Sequence, residues 1–429
     1  MLVVSSVIGV GIFFTPGSVA AALPHRGWFF AAWLAGGLLS LAGALANAEL
    51  GAMFPRAGGD YVYLREAYHP VAGFLVGWLS FFVIFAGTVA TLAVGFVEGV
   101  AGFVPMGPMA KVALAVAMVL ITSSVNALGV RAGATLNNVT GVLKVLALVG
   151  LVLAGPLLGH GKDVGTSPPV DRPLQFGLAL SPVLFTYLGW NASVYVASEI
   201  KDVEKTLPRS LFLGLGMCTF IYLLVNATYV STLPMSKLAG EVAAGNATAA
   251  VLFGAAGATV MAALILASVL GSLNANTLVG PRIAYAMARD GLFFQVAGRV
   301  HSTTRAPVAA IVVQAITAIA VIVVFQGNFR KVLDYTTFAV VLATMADTVA
   351  LYVLRVKAPD RPRPYRAWGY PVVPALYLVA NVAIVVAMVW GDPLSCAIGL
   401  GMLAAGVPFY LLFARSLRAS GGRRGSAAP

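Results

Sequence analysis

The stretch SSVIGVGIFFTP, residues 5–16, interrupts an apolar run near the start of the chain. Gly9 and Gly11 can leave helical geometry at little steric cost, and Pro16 cannot donate the hydrogen bond that closes a helical turn. In lipid, a broken helix is tolerated only where it lines a cavity or packs on protein, because backbone polar groups must be satisfied internally. A simple Gly–Pro kink is the alternative, and this stretch alone does not decide between the two.

The composition predicts an integral membrane protein: 60% of the 429 residues are hydrophobic and only 10% are charged. The net charge of +12 does not indicate nucleic acid binding, since the basic residues stand singly between apolar runs. Cys218 and Cys396 lie in apolar runs without metal-ligand spacing, so we expect no metal, cofactor or disulfide. No catalytic triad pattern or Walker loop is present, and all four histidines fall in predicted loops. An enzyme is therefore disfavoured.

Stretches of about 20 apolar residues predict membrane-spanning helices. By that measure the chain is an all-α membrane protein with about twelve transmembrane helices. The predicted spans are 2–23, 28–53, 71–98, 110–129, 135–156, 174–199, 209–231, 249–272, 306–326, 331–356, 371–391 and 394–415.

The distribution of Lys and Arg predicts the orientation, because cytoplasmic loops are enriched in basic residues. With the N-terminus inside, nineteen of the 27 basic residues fall in cytoplasmic segments and seven in the opposite loops, with Lys144 inside a span. We therefore expect a multi-pass protein with both termini in the cytoplasm, and a disordered tail at 418–429.

A second interruption lies in the sixth span, where GWN (189–191) places a glycine and a polar amide at the midpoint. Interrupted segments at corresponding positions of two halves indicate a secondary transporter with an inverted repeat and a substrate site near the bilayer midplane. The predicted units are 1–159, 160–358 and 359–417. Half-helix N-termini suit a carboxylate and half-helix C-termini suit an ammonium group, so the two breaks together fit an α-amino acid.

Five motifs in the expected order resemble the amino acid, polyamine and organocation (APC) transporter superfamily. They are IGVGIFFTP, AELGAMFPRAGGDYVYLREAY, GWNASVYVASEIKDVEKTLPRSL, GSLNANTLVGPRIAYAMARDGLF and RPYRAWGYPVVP. The third motif looks most like the L-type amino acid transporter branch and its bacterial relatives. The resemblance implies a leucine-transporter-like 5+5 inverted repeat with broken helices 1 and 6, followed by two extra C-terminal helices.

The resemblance also implies a substrate site at the two breaks, where Gly9 and Gly189 interrupt the helices. The backbone N–H groups of Val10 and Gly11 would meet the substrate carboxylate. The carbonyls of Val7, Phe185 and Leu188 would meet its ammonium group, Phe185 would close over the substrate, and Asn191 would tune side-chain selectivity. One departure is Val10, which stands where the family usually has serine, so we expect altered affinity or preference rather than lost function.

Lys144 lies within the fifth span, about nine residues or roughly 13 Å from its start, which is too deep for easy snorkelling. The resemblance implies that this lysine faces helices 1 and 8, with Ser268 and Ser272 as neighbours, in the place that a sodium ion takes in sodium-coupled relatives. Transport would then be sodium-independent. The alternative is a lysine paired with a carboxylate or with carbonyls purely for packing.

Asp347 is a second ionisable group well inside a span, the tenth. It could relay protons or contact a cationic substrate. The alternative is a carboxylate hydrogen-bonded to hydroxyls such as those of Thr344 or Thr348.

The sequence thus predicts a secondary active transporter of neutral L-amino acids, a permease or exchanger that works by alternating access. The predicted unwound segments contain no carboxylate that could pair a basic substrate side chain. Proton-coupled uptake through Asp347 or Lys144, and a non-transporting amino-acid sensor on the same fold, remain the alternatives.

We expect the chain to work in a bacterial inner membrane without a covalent ancillary subunit, as a monomer or weak homo-oligomer. L-type relatives in animals attach to a glycoprotein through a cysteine between helices 3 and 4, and GFVPMGPMAK has none here. Only eight residues precede Gly9, whereas a half-helix across about 15 Å of hydrocarbon needs about ten. Either that half-helix is short or the natural start lies upstream.

Overall fold

The computed structural model describes residues 2–55, 58–129, 139, 142–146, 148–155, 173–195, 200–304 and 306–425. Within these ranges the regular secondary structure is entirely helical. The helices are α1 (Leu2–Val7), α2 (Gly11–Phe14), α3 (Pro16–Ala22), α4 (Arg26–Met53), α5 (Asp60–Ala67), α6 (Pro70–Ala101), α7 (Pro108–Leu128), α8 (Val142–Gly155), α9 (Pro173–Tyr187), α10 (Ala192–Tyr195), α11 (Val203–Thr232), α12 (Met235–Leu238), α13 (Ala244–Val279), α14 (Pro281–Arg289), α15 (Val308–Val324), α16 (Phe329–Lys357), α17 (Val372–Gly391) and α18 (Pro393–Gly425).

Eight helical stretches in these ranges are long and apolar enough to cross a membrane. They are α4, α6, α7, α11, α13 with its continuation α14, α16, α17 and α18. The apolar helices α8, α9 and α15 are shorter, in the range of 10–17 residues. The chain is therefore a multi-pass helical membrane protein, and the count of twelve spans stays a prediction.

Both predicted interruptions coincide with breaks in the helices. The first predicted span, 2–23, consists of α1, α2 and α3, with a bend at residues 8–10. The sixth predicted span is interrupted where α9 ends at Tyr187, and a turn at residues 188–191 leads to α10. The glycines lie at the breaks, as their backbone chemistry predicts. Pro16 does not break the helix, because it is the first residue of α3 and Thr15 before it is helical.

A buried aromatic cluster packs beside the two breaks. Trp33 on α4, Tyr187 at the end of α9 and Tyr222 on α11 are all fully buried. Their ring centroids lie 5.0–6.4 Å apart, and the Tyr187 hydroxyl donates to the Trp33 carbonyl at 3.1 Å. Such contacts add to the burial of apolar area, so the end of α9 has a fixed position on α4 and α11.

One ion-pair network holds the end of α4 against the end of α16. Glu49 is completely buried and accepts from Arg355 in two parallel bonds, Nε to Oε1 at 2.9 Å and Nη2 to Oε2 at 2.7 Å. The backbone N–H of Ala367 also donates to Glu49 Oε2, at 2.7 Å, and Arg363 Nε lies 3.5 Å from Oε1. Bidentate geometry and a satisfied carboxylate make this pair strong, and it connects α4, α16 and the segment before α17.

We predict that Glu49→Gln destabilises the protein by about 3 kcal/mol, because it leaves the Arg355 guanidinium without its buried counter-charge. Glu98→Gln is the matched control, since Glu98 pairs with Lys111 at a partly exposed site and should lose less than about 1 kcal/mol. The measurement is the melting temperature of the purified protein in detergent. Equal shifts for the two variants would show that the Glu49 network does not hold the helices together.

Candidate functional site

The bend between α1 and α2 exposes backbone donors. The N–H of Ile8 still donates to the Val4 carbonyl at 3.0 Å, which ends α1. Among the described residues, the N–H groups of Gly9, Val10 and Gly11 donate no backbone hydrogen bond. Helical geometry resumes at Gly11 and continues through Thr15 (φ −84°, ψ −23°) into α3, so these donors lie at the N-terminal end of a helical run. Unpaired N–H groups and a positive helix end favour an anion here.

The two breaks contact each other, backbone against backbone. A Cβ on Gly11 would lie 2.7 Å from Thr186 Cα, and a Cβ on Gly189 would lie 2.7 Å from the Ser6 carbonyl carbon. Gly189 also has a φ of 111°, a region that other residues rarely adopt. Only glycine allows this approach, so α1 and the turn after α9 are locked together at the two glycines.

Three hydroxyl groups bridge the breaks. The Tyr222 hydroxyl lies 2.9 Å from the Val7 carbonyl and 3.0 Å from the Thr186 carbonyl. The hydroxyls of Thr15 and Thr186 are 2.8 Å apart. None of these three residues was predicted from the sequence. Tyr222 lies in an ordinary apolar span, and nothing in its local sequence indicates a role at the site. Thr186 could have been predicted, because it lies three residues before Gly189.

A cavity of about 60 Å³ lies at the contact between the breaks. Its lining includes every backbone and side-chain position predicted for substrate binding, together with one of the predicted serines. These residues are Val7, Gly9, Val10, Gly11, Phe185, Leu188, Gly189, Asn191 and Ser272. Ser6, Thr88, Thr186 and Asn276 add polar groups that the sequence analysis missed. In the described part of the chain, no Asp, Glu, Lys or Arg lines the cavity.

Two of the predicted ammonium acceptors already accept a hydrogen bond. The Val7 carbonyl takes the Tyr222 hydroxyl, and the Phe185 carbonyl takes the Leu188 N–H at 3.0 Å. Each carbonyl oxygen has a second lone pair, so both can still accept from a ligand.

Lys144 is completely buried beside the first break. Its Nζ donates to the Ile8 carbonyl at 2.7 Å and lies 3.2 Å from Ser272 Oγ. Ser268, one turn earlier on α13, lies outside the cavity, and its buried hydroxyl has no hydrogen-bond partner within the described ranges. The structure therefore brings Lys144 to helix 1 and to Ser272, and it gives no role to Ser268.

Asp347 lies on α16, outside the cavity lining, and is completely buried. The alternative that Thr344 or Thr348 satisfies its carboxylate is wrong. Thr344 donates to the Val340 carbonyl at 2.9 Å and accepts from Tyr377, and Thr348 donates to the Thr344 carbonyl at 2.8 Å. Threonine hydroxyls inside helices bond back to the preceding turn, which removes them as partners for a side chain on the same helix.

Broken helices that meet at a polar cavity, inside a bundle of membrane-spanning length, define a membrane transport protein. Comparisons with known proteins identify which kind of transport protein this is. The sequence model of the family described as Amino acid permease matches residues 1–413, so the chain belongs to the amino acid permease family of the APC superfamily. Members of this family are transporters rather than enzymes.

Three relatives illustrate the range of the family. The chain is 30% identical to the Serine/threonine exchanger SteT of Bacillus subtilis (strain 168), over 95% of this chain and 94% of the relative. It is 29% identical to the human Large neutral amino acids transporter small subunit 2, over 96% and 78%. It is 30% identical to the human b(0,+)-type amino acid transporter 1, over 96% and 86%. The chain is thus similar to amino acid transporters along nearly its whole length.

We predict that Gly189→Ala weakens substrate binding about tenfold or more, because the added Cβ meets the Ser6 backbone and the positive φ costs about 1–2 kcal/mol. Gly216→Ala on α11 is the matched control, since a Cβ there meets nothing within 4 Å. Binding of a panel of radiolabelled amino acids to purified protein measures the effect. Unchanged binding in Gly189→Ala would mean that the contact between the breaks does not shape the site.

Proposed function

We propose that the chain is a sodium-independent exchanger of neutral L-amino acids that works by alternating access. The observation that carries this proposal is the set of N–H groups at Gly9, Val10 and Gly11, which donate no backbone hydrogen bond within the described structure and lie at the edge of a cavity between two broken helices. An unsatisfied backbone donor inside a membrane protein is costly, and it is retained where a ligand supplies the acceptor.

The substrate carboxylate would accept hydrogen bonds from the backbone of Val10 and Gly11. The helical run that begins at Gly11 adds partial positive charge at the same point. The missing serine hydroxyl at position 10 leaves the backbone as the source of donors, and Val10 instead fills space near Gly95 on α6.

The substrate ammonium group would lie at the carbonyls of Val7, Phe185 and Leu188. The free lone pairs of these carbonyls support this role. Phe185, with 6% of its surface exposed, lines the cavity, where its ring would cover a bound substrate. Asn191 is the half-buried polar side chain that would contact the substrate side chain and set preference.

The lining of the cavity supports a neutral substrate. An arginine or lysine side chain would need a carboxylate, and an acidic one would need a cation, yet the described lining offers only hydroxyls, amides and apolar groups.

Sodium independence rests on Lys144. Its ammonium group donates to the Ile8 carbonyl and lies beside the Ser272 hydroxyl, which are oxygen ligands of the type that a sodium ion would use. A cation binding there would have to displace the lysine.

The wider proposal includes twelve transmembrane helices arranged as inverted repeats at 1–159 and 160–358, followed by 359–417. It also places both termini in the cytoplasm of a bacterial cell, with the chain in the inner membrane. The distribution of basic residues supports the orientation. The absence of a cysteine in GFVPMGPMAK supports function without a covalent subunit, as a monomer or weak homo-oligomer.

Proton-coupled uptake is the second candidate. It is favoured by the complete burial of Asp347 without a hydrogen-bond partner in the described structure, which is a costly arrangement for an ionised carboxylate.

The test is uptake of a radiolabelled amino acid panel into proteoliposomes, with or without internal substrate and with an imposed sodium or proton gradient. We expect uptake of neutral amino acids to require internal substrate and to ignore the sodium gradient. Lys144→Ala should reduce exchange more than about tenfold, because it leaves the Ile8 carbonyl and Ser272 without their buried donor, worth about 1.5–3 kcal/mol. Lys201→Ala, at an exposed turn, is the control and should exchange normally.

Three outcomes would contradict the proposal in different ways. Amino acid accumulation driven by a sodium gradient would contradict the proposal that Lys144 makes transport independent of sodium. Uptake that needs a proton gradient and no internal substrate would favour the second candidate. Binding without transport under every condition would indicate a sensor.

A further inference from the structure

A groove on the outside of the helix bundle lies apart from the substrate site. It has a volume of about 470 Å³ and is formed where α11, α4 and the segment before α17 meet. Its lining includes the cations Lys205 and Arg209 of α11, Leu45 of α4 and Trp368 of the segment before α17. No residue of the described substrate cavity lines this groove, so the groove requires an explanation of its own.

The exposed side of α11 changes from charged to apolar within the groove. Lys205 and Arg209 are exposed near the start of the helix and, at four residues apart, lie on one face. Phe212 and Leu213 follow in the lining with 39% and 65% of their surface exposed, and Met217, one turn later, is 54% exposed. The rise from Lys205 to Leu213 is about 12 Å along the helix axis. Because α11 is long and apolar enough to cross a membrane, this change fits the border between lipid head groups and hydrocarbon.

The two cations of the groove are available to a ligand. In the described part of the chain, neither the Lys205 ammonium nor the Arg209 guanidinium forms an ion pair or a side-chain hydrogen bond. By contrast, Arg355 is fully engaged with Glu49. One carboxylate, Glu204, is part of the described lining and leaves it with a net charge of +1. The groove therefore favours a ligand with one negative charge.

The apolar wall of the groove has a fixed position. Trp368 is 65% exposed, and its ring centroid lies 5.6 Å from that of Phe212 on α11. The preceding residue, Ala367, is buried and donates its N–H to the carboxylate of Glu49 at 2.7 Å. An exposed tryptophan next to cations is typical of the membrane–water interface, where the ring contacts lipid at the level of the head groups.

We propose that this groove binds one anionic phospholipid. Its phosphate would lie against Lys205 and Arg209, and an acyl chain would extend along Phe212 and Leu213 beside Trp368. Arginine can donate two parallel hydrogen bonds to phosphate oxygens, and lysine adds a point charge. Basic pockets between membrane-spanning helices recognise anionic head groups by these contacts.

The shape of the groove favours a lipid over a soluble anion. Inorganic phosphate would occupy only the end with Lys205 and Arg209 and would leave Leu213 and Trp368 uncovered. A zwitterionic lipid would bring its own ammonium group to two cations, so its head group would gain less from the contact. An anionic phospholipid matches both the charged end and the apolar end.

A bound lipid would connect parts of the fold that the Glu49 network already organises. It would contact α11 and Trp368 at once, and the segment of Trp368 is held to α4 through Glu49. Since a ligand that binds the folded state stabilises it, lipid in the groove raises the melting temperature. The inference uses the membrane-spanning character of α11 and is independent of the proposed substrate.

The test is the melting temperature of the purified full-length protein in detergent, titrated with phosphatidylglycerol, phosphatidylethanolamine, phosphatidylcholine or inorganic phosphate. We expect phosphatidylglycerol to give the largest rise. A double variant with Lys205→Gln and Arg209→Gln should bind phosphatidylglycerol about tenfold more weakly and melt like the wild type without added lipid, because both side chains are exposed. Lys205→Arg keeps the charge and should respond like the wild type.

Two further variants separate a lipid site from a general effect of charge. Arg289→Gln removes an exposed cation at the end of α14, outside the groove, and should leave the response to phosphatidylglycerol unchanged. Trp368→Ala keeps both cations and should still weaken phosphatidylglycerol binding, because it removes the apolar wall. Native mass spectrometry, which counts the phosphatidylglycerol molecules retained, should show one fewer in the double variant than in the wild type.

Four results would overturn the proposal. Equal stabilisation of the wild type by phosphatidylcholine or phosphatidylethanolamine would show that the groove does not select a negative charge. Equal stabilisation by inorganic phosphate would indicate a site for a soluble anion. A full response to phosphatidylglycerol in the double variant would place the lipid elsewhere. An unchanged response in Trp368→Ala would show that the groove makes no apolar contact with the lipid.

Discussion

The structure depends on one constraint: backbone groups that lose their helical hydrogen bonds inside a membrane need other partners. Breaking a helix in lipid exposes donors and acceptors that water cannot satisfy. Here the two breaks face each other, and Gly11 and Gly189 let their backbones touch. Acceptors on one side are then covered by protein donors, Tyr222 at Val7 and Lys144 at Ile8. Among the described residues, the N–H groups of residues 9–11 donate no backbone hydrogen bond. We propose that these donors bind the substrate carboxylate.

Local chemistry explains why much of this could be predicted from the sequence. Gly9, Gly11 and Gly189 act on their own backbone, so their effect can be recognised without knowing the fold. Lys144 was equally visible, since one charge in an apolar span has no local explanation. The permease resemblance then assigned roles that neither hydrophobicity nor spacing could supply.

What the sequence could not predict depends on tertiary contacts. Tyr222 lies more than 200 residues from the Val7 carbonyl that it bonds, and its own span gives no indication of the contact. Ser268 and Ser272 lie on one face of α13, and only the position of the helix decides that Ser272 meets Lys144. The alternative in which Thr344 or Thr348 satisfies Asp347 was wrong, because these threonines donate to the backbone of their own helix.

Burying a carboxyl group is costly, and two buried acids, one on α4 and one on α16, differ in the hydrogen bonds that offset this cost. Glu49 is satisfied by Arg355 and the Ala367 N–H, which makes a fixed connection between helices. Asp347 lies two turns from Arg355 on the same helix and has no such donor in the described structure. Arg355, the partner of Glu49, lies on the same helix as Val340, which lines the cavity between the breaks, so α16 connects this ion pair to the cavity.

The central claim is that backbone groups at the two breaks recognise the α-carboxylate and α-ammonium groups of a neutral amino acid. Competition for binding of a radiolabelled neutral amino acid tests it most directly, using the free amino acid, its methyl ester and its α-hydroxy acid analogue. The account predicts that the free amino acid competes, and that the ester and the hydroxy acid, which lack one of the two charges, compete at least about tenfold more weakly. Equal competition by the methyl ester would contradict the account, because the N–H groups at Val10 and Gly11 would then not bind a carboxylate.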